Sequence, residues 1–331
     1  MIGYLIRRIL YCIPLLFGIA FISFVVITLP PGDYMSTMQA RLTQVGGLSL
    51  VEAQKMAEQL RQRYGLDKPF LVQFGKWLFG IFRGDFGFSF RYRKPVAAVI
   101  WERLGWTLLI TVCAMVISAA IGVLCGIYSA THQYSFGDFA LSIFAVAGLS
   151  VPNFFLALAL MYILITYGHS TATGGLFSPE MVLQPWSWAK LVDLFRHIWL
   201  PIVVVGVAGT ARSMRVIRAN LLDVLGAQYV QVARAKGLSE RVIIWKHAFR
   251  NSVQPFIMYM GMTLPWLIQG EMATGIVLSL PTTGTMFLLA LQDQDMYLAG
   301  SFVLLLAAIT VIGNLLADLV LAWVDPRIRY E

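Results

Sequence analysis

Charged residues are scarce in this chain. Only 13% of its 331 residues are Asp, Glu, Lys or Arg, whereas 58% are hydrophobic. Soluble domains carry about twice that share of charge, and apolar runs near 20 residues point instead to a polytopic membrane protein. Cysteine is scarcer still. Cys12, Cys113 and Cys125 all fall in apolar runs, at a spacing that fits neither a disulfide framework nor a metal motif. The four histidines, His132, His169, His197 and His247, are scattered. No G-x-x-x-x-G-K-[ST] phosphate loop occurs, so the chain is not expected to hydrolyse ATP alone. H-E-x-x-H, C-x-x-C and G-x-S-x-G are absent too. The sequence therefore nominates no catalytic residue, no metal ligand and no cofactor-binding residue. An enzyme within the membrane has no nucleophile–base pair to recommend it.

What charge there is has a direction. The net charge of +8 would suit nucleic acid, but its distribution argues against that partner. Residues 1–8, 212–250 and 325–331 hold 12 of the 25 Lys and Arg, while the two short loops read as external hold only Lys190 and Arg196. This is the positive-inside bias, and it places both termini in the cytoplasm. Arg7 and Arg8 precede an uncharged run, Ile9 to Leu29, that would make about 31 Å of helix. A cleaved signal peptide is the rival, but its apolar core would be shorter and Leu29-Pro30-Pro31-Gly32-Asp33 is a poor cleavage site. Residues 1–30 thus read as a first transmembrane helix.

Residues 31–103 read as a long extracytoplasmic segment. Ser49-Leu50-Val51-Glu52 is a capping-box signature opening a helix to about Tyr64, closed by Gly65. Phe70, Leu71, Phe74, Trp77, Leu78, Ile81 and Phe82 then share a helical face, either in the outer membrane interface or packed on the chain itself. Asp67 and Asp85, in Gly65-Leu66-Asp67-Lys68-Pro69 and Gly84-Asp85-Phe86-Gly87, read as local capping groups.

Residues 104–331 read as a five-helix core. Spans are expected over Leu104–Ser129, Phe139–Thr166, from His197, over Ser252–Gly270, and over Met296–Val324. The turn Thr131 to Asp138 lacks the basic residues of an inner loop. Ser150-Val151-Pro152-Asn153 puts proline inside the third span, where it removes a backbone hydrogen bond and kinks the helix. Irregular backbone at that depth packs on protein or lines a wet cavity. Ser150, Pro152 and Asn153 are therefore pathway candidates, a packed kink being the alternative. Glu271, expected at the end of the fifth span, is a fourth, since ionisable groups there are costly. Arg212, Arg215 and Arg218, at spacing three, read as one helix face meeting lipid headgroups or a partner's acidic surface. Asn314 and Asp318 read as a helix–helix hydrogen-bonding pair.

The longest polar interruption of the C-terminal half runs from Tyr229 to Pro255, and a cytoplasmic loop is expected over 220–250. Ala233, Arg234, Ala235, Lys236, Gly237 and Leu238 read as a helix ending at a C′ glycine. Ser239 is placed to cap a second helix with Glu240 in its first turn. Together with His247-Ala248-Phe249-Arg250-Asn251, this stretch resembles the coupling loop of bacterial ABC importer permeases of the peptide class. The ending Asp325-Pro326-Arg327 resembles that family's terminal motif. Departures exist: Gln231 and Val232 replace the usual Glu and Ala. Pro281-Thr282-Thr283-Gly284 stands at a Pro-Gly-x-Gly turn, and Gly275 stands where that family places a Glu.

The resemblance covers nearly the whole chain. It implies an all-α, polytopic membrane protein of about six transmembrane helices, type I ABC importer permease-like, with an extracytoplasmic segment after the first. It implies the bacterial inner membrane, contact with lipid, a second permease subunit of a different sequence, two ATPase subunits and an extracytoplasmic solute-binding protein. ATP and Mg would be bound by the ATPase subunits and no cofactor by this chain. The six residues Ala233 to Leu238 would engage an ATPase subunit. Peptides are the expected cargo, and oligosaccharides the alternative because of the altered turn. The rival class is an ion-coupled secondary transporter, which would need internal repeats and midplane carboxylates, with only Glu271 and Asp318 available.

Overall fold

The computed structural model describes residues 2–29, 34–44, 49–168 and 174–324; the side chains of 2–9, 41, 63, 261–262 and 316–324 also fall outside that set. His169, Asp318 and the terminal Asp325-Pro326-Arg327 lie outside the described residues or side chains. In chain order the described elements are α1 (Ile2–Thr28), α2 (Tyr34–Gln44), α3 (Leu50–Tyr64), α4 (Phe70–Phe82), β1 (Phe88–Ser89), β2 (Lys94–Pro95), α5 (Val96–Thr131), α6 (Phe136–Ser150) and α7 (Asn153–Thr166). Then follow α8 (Trp188–Leu225), α9 (Gln228–Ala235), α10 (Glu240–Val242), a π-helix (Ile243–Ala248), α11 (Phe249–Ser252), α12 (Gln254–Val277), α13 (Thr283–Gln292) and α14 (Met296–Val324).

Four single helices within the described residues are long and apolar enough to cross a membrane, and five spans result if α6 and α7 count as one broken span. α12, at 24 residues, has the length of a sixth. Two expectations change here. The third span is not a kinked helix: α6 and α7 meet at Val151-Pro152 with a bend of 107°. The fifth does not stop at Gly270, because α12 carries Glu271 into its last two turns.

The chain divides into two compact units. The first comprises Met1–Gly105 and Thr285–Val311. Here α1 packs on α4 through aromatic contacts: Phe24 stacks on Trp77 at 5.3 Å and Phe21 meets Phe74 edge-on at 5.3 Å. Phe74 and Trp77 are buried, whereas Leu71, Phe79 and Phe82 on the other side of α4 are exposed. So α4 packs on its own chain with one face and leaves the other apolar face open. The capping box forms as the sequence indicates, with Ser49 and Glu52 bonding reciprocally and Gly65 left-handed at φ 72°. Asp85 Oδ1 accepts from Gly87 N at 2.9 Å, but Asp67 does not cap α4, whose N-cap is Pro69 without a side-chain bond. The β1–β2 hairpin is held at Asp295. Ser89 Oγ and Arg91 N donate to its Oδ2 at 2.7 and 3.1 Å. Burial pushes the Asp295 carboxyl's pKa upward against those donors.

The second unit, Trp106–Gly284 and Ile312–Glu331, is helical. Small residues let α5 and α8 approach closely: a Cβ on Gly122 would lie 2.5 Å from that of Ser213, and one on Gly126 2.8 Å from Met214 O. Ile110, Leu194, Ile198, Leu200 and Val204 form a buried core with Leu278 and Leu280. The turn before α6 gains its cation from far along the chain. Arg218 donates to Asp138 through Nε and Nη2, each at 3.1 Å, and Nε also donates to Ser129 Oγ at 2.9 Å. Arg218 is therefore an internal partner and not part of a headgroup-facing row.

Candidate functional site

The 228–252 loop is built by a helix stop. α9 ends at Ala235 with Lys236 as its C-cap, and Gly237 adopts φ 76°, a left-handed conformation that costs glycine little. Gly237 N donates to Arg234 O at 2.9 Å and Leu238 N to Ala233 O at 3.3 Å, which satisfies carbonyls at the helix end. A Cβ on Gly237 would meet nothing within 4 Å, so the tip projects into open space. Arg234 then clasps Glu240 across the tip, Nε to Oε1 at 2.8 Å and Nη2 to Oε2 at 3.3 Å. The carboxylate beside it pushes the guanidinium's pKa further up.

Only one of the six nominated coupling residues turns inward. Ala233 is buried in a small cluster with Val230 and Ile243, packed against Val224 and Leu225. Arg234, Ala235, Lys236, Gly237 and Leu238 are exposed. Tyr229, Val232, Leu238, Val242 and Trp245 leave apolar surface open on the same segment, with Lys236, Arg241, Lys246 and Arg250 exposed among them. Ser239 occupies the N-cap position of α10 but makes no side-chain capping bond; Glu240 turns back to Arg234 instead. The second helix is also not regular α: after three residues it widens into the π-helix. Asn251 Nδ2 donates to Tyr229 Oη at 2.8 Å and ties the end of the loop to its start.

The break at Val151-Pro152 forms the second feature. Pro152 is the N-cap of α7, without a side-chain cap. Pro152 and Asn153 line a cavity of about 360 Å³ with Arg212, Tyr259, Trp266, Gln269 and Gly270. The Arg212 guanidinium lies 5.7 Å from the centroid of the Trp266 ring, a cation–π contact. Asn153 packs on Gly270 so closely that a Cβ there would collide with its amide. The sequence did not place Arg212 here. Its signal was the neighbouring proline break together with an arginine closing an apolar run. A larger groove of about 650 Å³ lies among Leu109, Phe144, Leu194, Trp199 and Val203, but no charged residue lines it.

The other two pathway candidates lie elsewhere. Ser150 is exposed, and its Oγ donates to Val146 O at 2.8 Å within α6. Glu271 is fully buried and does not line the cavity. Its carboxyl lies over Gly275: a Cβ there would be 2.9 Å from Oε1 and 2.5 Å from Thr282 Oγ1. Thr107 and Thr282 are its polar neighbours, yet among the described residues neither carboxyl oxygen nor Thr282 Oγ1 has a hydrogen bond of normal geometry. Thr107 is instead engaged with Thr283, through Oγ1 at 2.9 Å and N at 3.0 Å.

Comparison with known proteins extends these features over the whole chain. Residues 122–330 match the family model described as "Binding-protein-dependent transport system inner membrane component", and residues 1–111 match the model of that component's N-terminal region. The chain is 34% identical over 332 residues to the oligopeptide transport system permease protein AppB of Bacillus subtilis, covering 100% of each. It is 31% identical over 343 residues to the dipeptide transport system permease protein DppB of Alkalihalophilus pseudofirmus, and 30% identical over 346 residues to DppB of Escherichia coli, again across 100% of each.

Proposed function

We propose, from the premise that this chain belongs to the family of binding-protein-dependent transport system inner membrane components, that it carries peptides across the bacterial inner membrane as the permease subunit of an ATP-driven importer. It is a multi-pass membrane protein and not itself an enzyme; ATP hydrolysis resides in partner subunits. Similarity over full length to oligopeptide and dipeptide permeases is the single observation that carries the peptide reading. The family implies a complex with a further permease, ATPases and a solute-binding protein.

The finer reading is as follows. The second permease is a different chain, two ATPase subunits bind ATP and Mg, and both termini of this chain are cytoplasmic. Arg234, Ala235, Lys236, Gly237 and Leu238 engage a groove on an ATPase subunit, and Ala233 holds their helix from beneath. The exposed mixture of Val232, Leu238 and Trp245 with Lys236, Arg241 and Lys246 suits a groove with an apolar floor and an acidic rim. When the ATPase pair closes on ATP, the loop moves with it, and the tightly packed α8 carries that motion toward the break at Pro152. Nucleotide shifts the inward–outward equilibrium by its differential affinity for the two states.

The test is an affinity pull-down from native membranes with an ATPase assay of the eluate. Recovery of a second permease and ATPase subunits, with vanadate-sensitive hydrolysis stimulated by the loaded binding protein and lost in Gly237→Asp, is the expected result. A chain that comes out alone and still moves solute in liposomes would overturn the reading.

A further inference from the structure

We propose that the cavity at the α6–α7 break binds the terminal carboxylate of a transported peptide, with Arg212 as its anchor. The proposal rests on the peptide-importer reading and adds to it a substrate contact within the permease.

Charge and composition of the cavity point to this ligand. Arg212 is its one charged lining residue, and no carboxylate lines it. Of the arginines spaced by three on α8, Arg218 is neutralised by Asp138. Arg212 is exposed, has no acidic partner within 4 Å among the described residues, and lies over the Trp266 ring, itself 64% exposed. An ionisable side chain at the wall of a cavity among spanning helices is a functional-site candidate whose natural partner carries the opposite charge. Arg presents a planar fork that matches a carboxylate. Asn153, Gln269 and Tyr259 add neutral polar groups, and Trp266, Phe154 and Leu267 supply apolar wall for a side chain. The uncapped start of α7 at Pro152 adds its positive dipole end in the same place. Gly270 is required for this geometry, because a larger residue would displace the Asn153 amide.

An anionic lipid headgroup offers the same charge, so the test separates the two sources. The intact importer, co-purified from native membranes, is reconstituted with its binding protein in vesicles of zwitterionic lipid alone and of mixed anionic lipid. Uptake is compared for peptide pairs that differ only in a C-terminal carboxylate or amide, with the binding protein's affinity for each measured separately. The expected result is a faster turnover for the acid than for the amide in both vesicle types. Arg212→Gln should lower the acid's turnover about tenfold, the order of one charge-assisted hydrogen bond, and leave the amide's unchanged. Arg212→Lys should fall between. Gly270→Ala, which moves Asn153 without altering charge, should slow both peptides alike.

Equal slowing of acid and amide by Arg212→Gln, with ATPase stimulation retained, would overturn the inference and leave the importer reading standing. An effect present only with anionic lipid and equal for both peptides would assign the site to a headgroup and likewise overturn it. Wild-type importer that takes up neither peptide would overturn the peptide reading together with the inference.

Discussion

Two helix breaks in the second unit invite comparison. At Val151-Pro152 the chain turns through 107°, with Asn153 packed against Gly270 and Arg212 in the same cavity wall. At Gly237 the chain turns by a left-handed glycine whose surroundings are empty. The first break uses proline, which denies a backbone donor, and sets Pro152 and Asn153 in a cavity wall, with Val151 and Asn153 half-buried and Pro152 exposed. The second uses glycine, satisfies its carbonyls by local bonds, and exposes nine consecutive residues, Arg234 to Val242. Irregular backbone inside a bilayer survives only beside protein or a wet cavity, whereas a turn in water is free to project. Proline at a cavity wall and an unobstructed glycine between polar helices are thus two different ways of stopping a helix.

The comparison is broken most severely by loading charge beneath the glycine turn. Ala233→Asp places an unpaired carboxylate in the Val230–Ile243 cluster and should destabilise the loop on the order of 3 kcal/mol or more, abolishing uptake while membrane insertion persists. Protease sensitivity of the 228–252 segment and binding-protein-stimulated ATPase activity report on this. Normal uptake by the variant would contradict the buried placement. Arg218→Gln comes next. It leaves Asp138 buried without its cation and should cost about 3 kcal/mol, read as a lower melting temperature of the purified complex.

The comparison is sharpened by smaller changes. Gly237→Ala adds a methyl group that meets no neighbour but holds it in a left-handed conformation, at a cost of about 1 kcal/mol. It should reduce coupling only partly, where Gly237→Asp abolishes it. Both variants are read as the ratio of transport to hydrolysis. Arg234→Gln removes an ion pair whose side chains are 38% and 61% exposed, so the loss should stay below about 1 kcal/mol and shrink further at high salt.

The smallest effect concerns the capping box in the first unit. Hydrogen bonds from Ser49 hold the Glu52 carboxyl below the usual range. Its contribution to α3 is thus fully present above the ordinary glutamate pKa and is lost as pH falls through the lowered folded value. Amide exchange at the start of α3, followed from neutral to acidic pH, should show protection lost over that interval in wild type and a flat profile in Glu52→Gln.

The sequence made local stops visible because they are written in adjacent residues. Ser49 to Glu52, Gly65, Pro152 and Gly237 each specify a cap or a break within one turn of chain. Pairings over distance left no such mark. Asp138 and Arg218 are 80 residues apart, and a row of arginines at spacing three looked like one face. Three residues is 300° of helix, so each step drifts by 60° and the row winds around α8. Arg212 accordingly reaches the cavity while Arg218 reaches α6. The hairpin at 88–95 escaped notice because two-residue strands are too short for any alternation to show. The π-helix escaped because its six residues, little more than one turn, are too few for a longer period to show in the apolar pattern. Glu271 was set at a span end because a charge normally marks one; buried beside Gly275 and Thr282, it lies within α12 instead.

Photo-crosslinking from the tip tests the central claim most directly. A photoreactive residue replaces Leu238 in the native complex, and another replaces Tyr162, exposed on α7, as the comparison. The account predicts a crosslink from position 238 to an ATP-hydrolysing subunit, with a yield that changes between nucleotide-free and vanadate-trapped states, and none to that subunit from position 162. An intact, hydrolysing complex that gives no crosslink from position 238 in either state would contradict it.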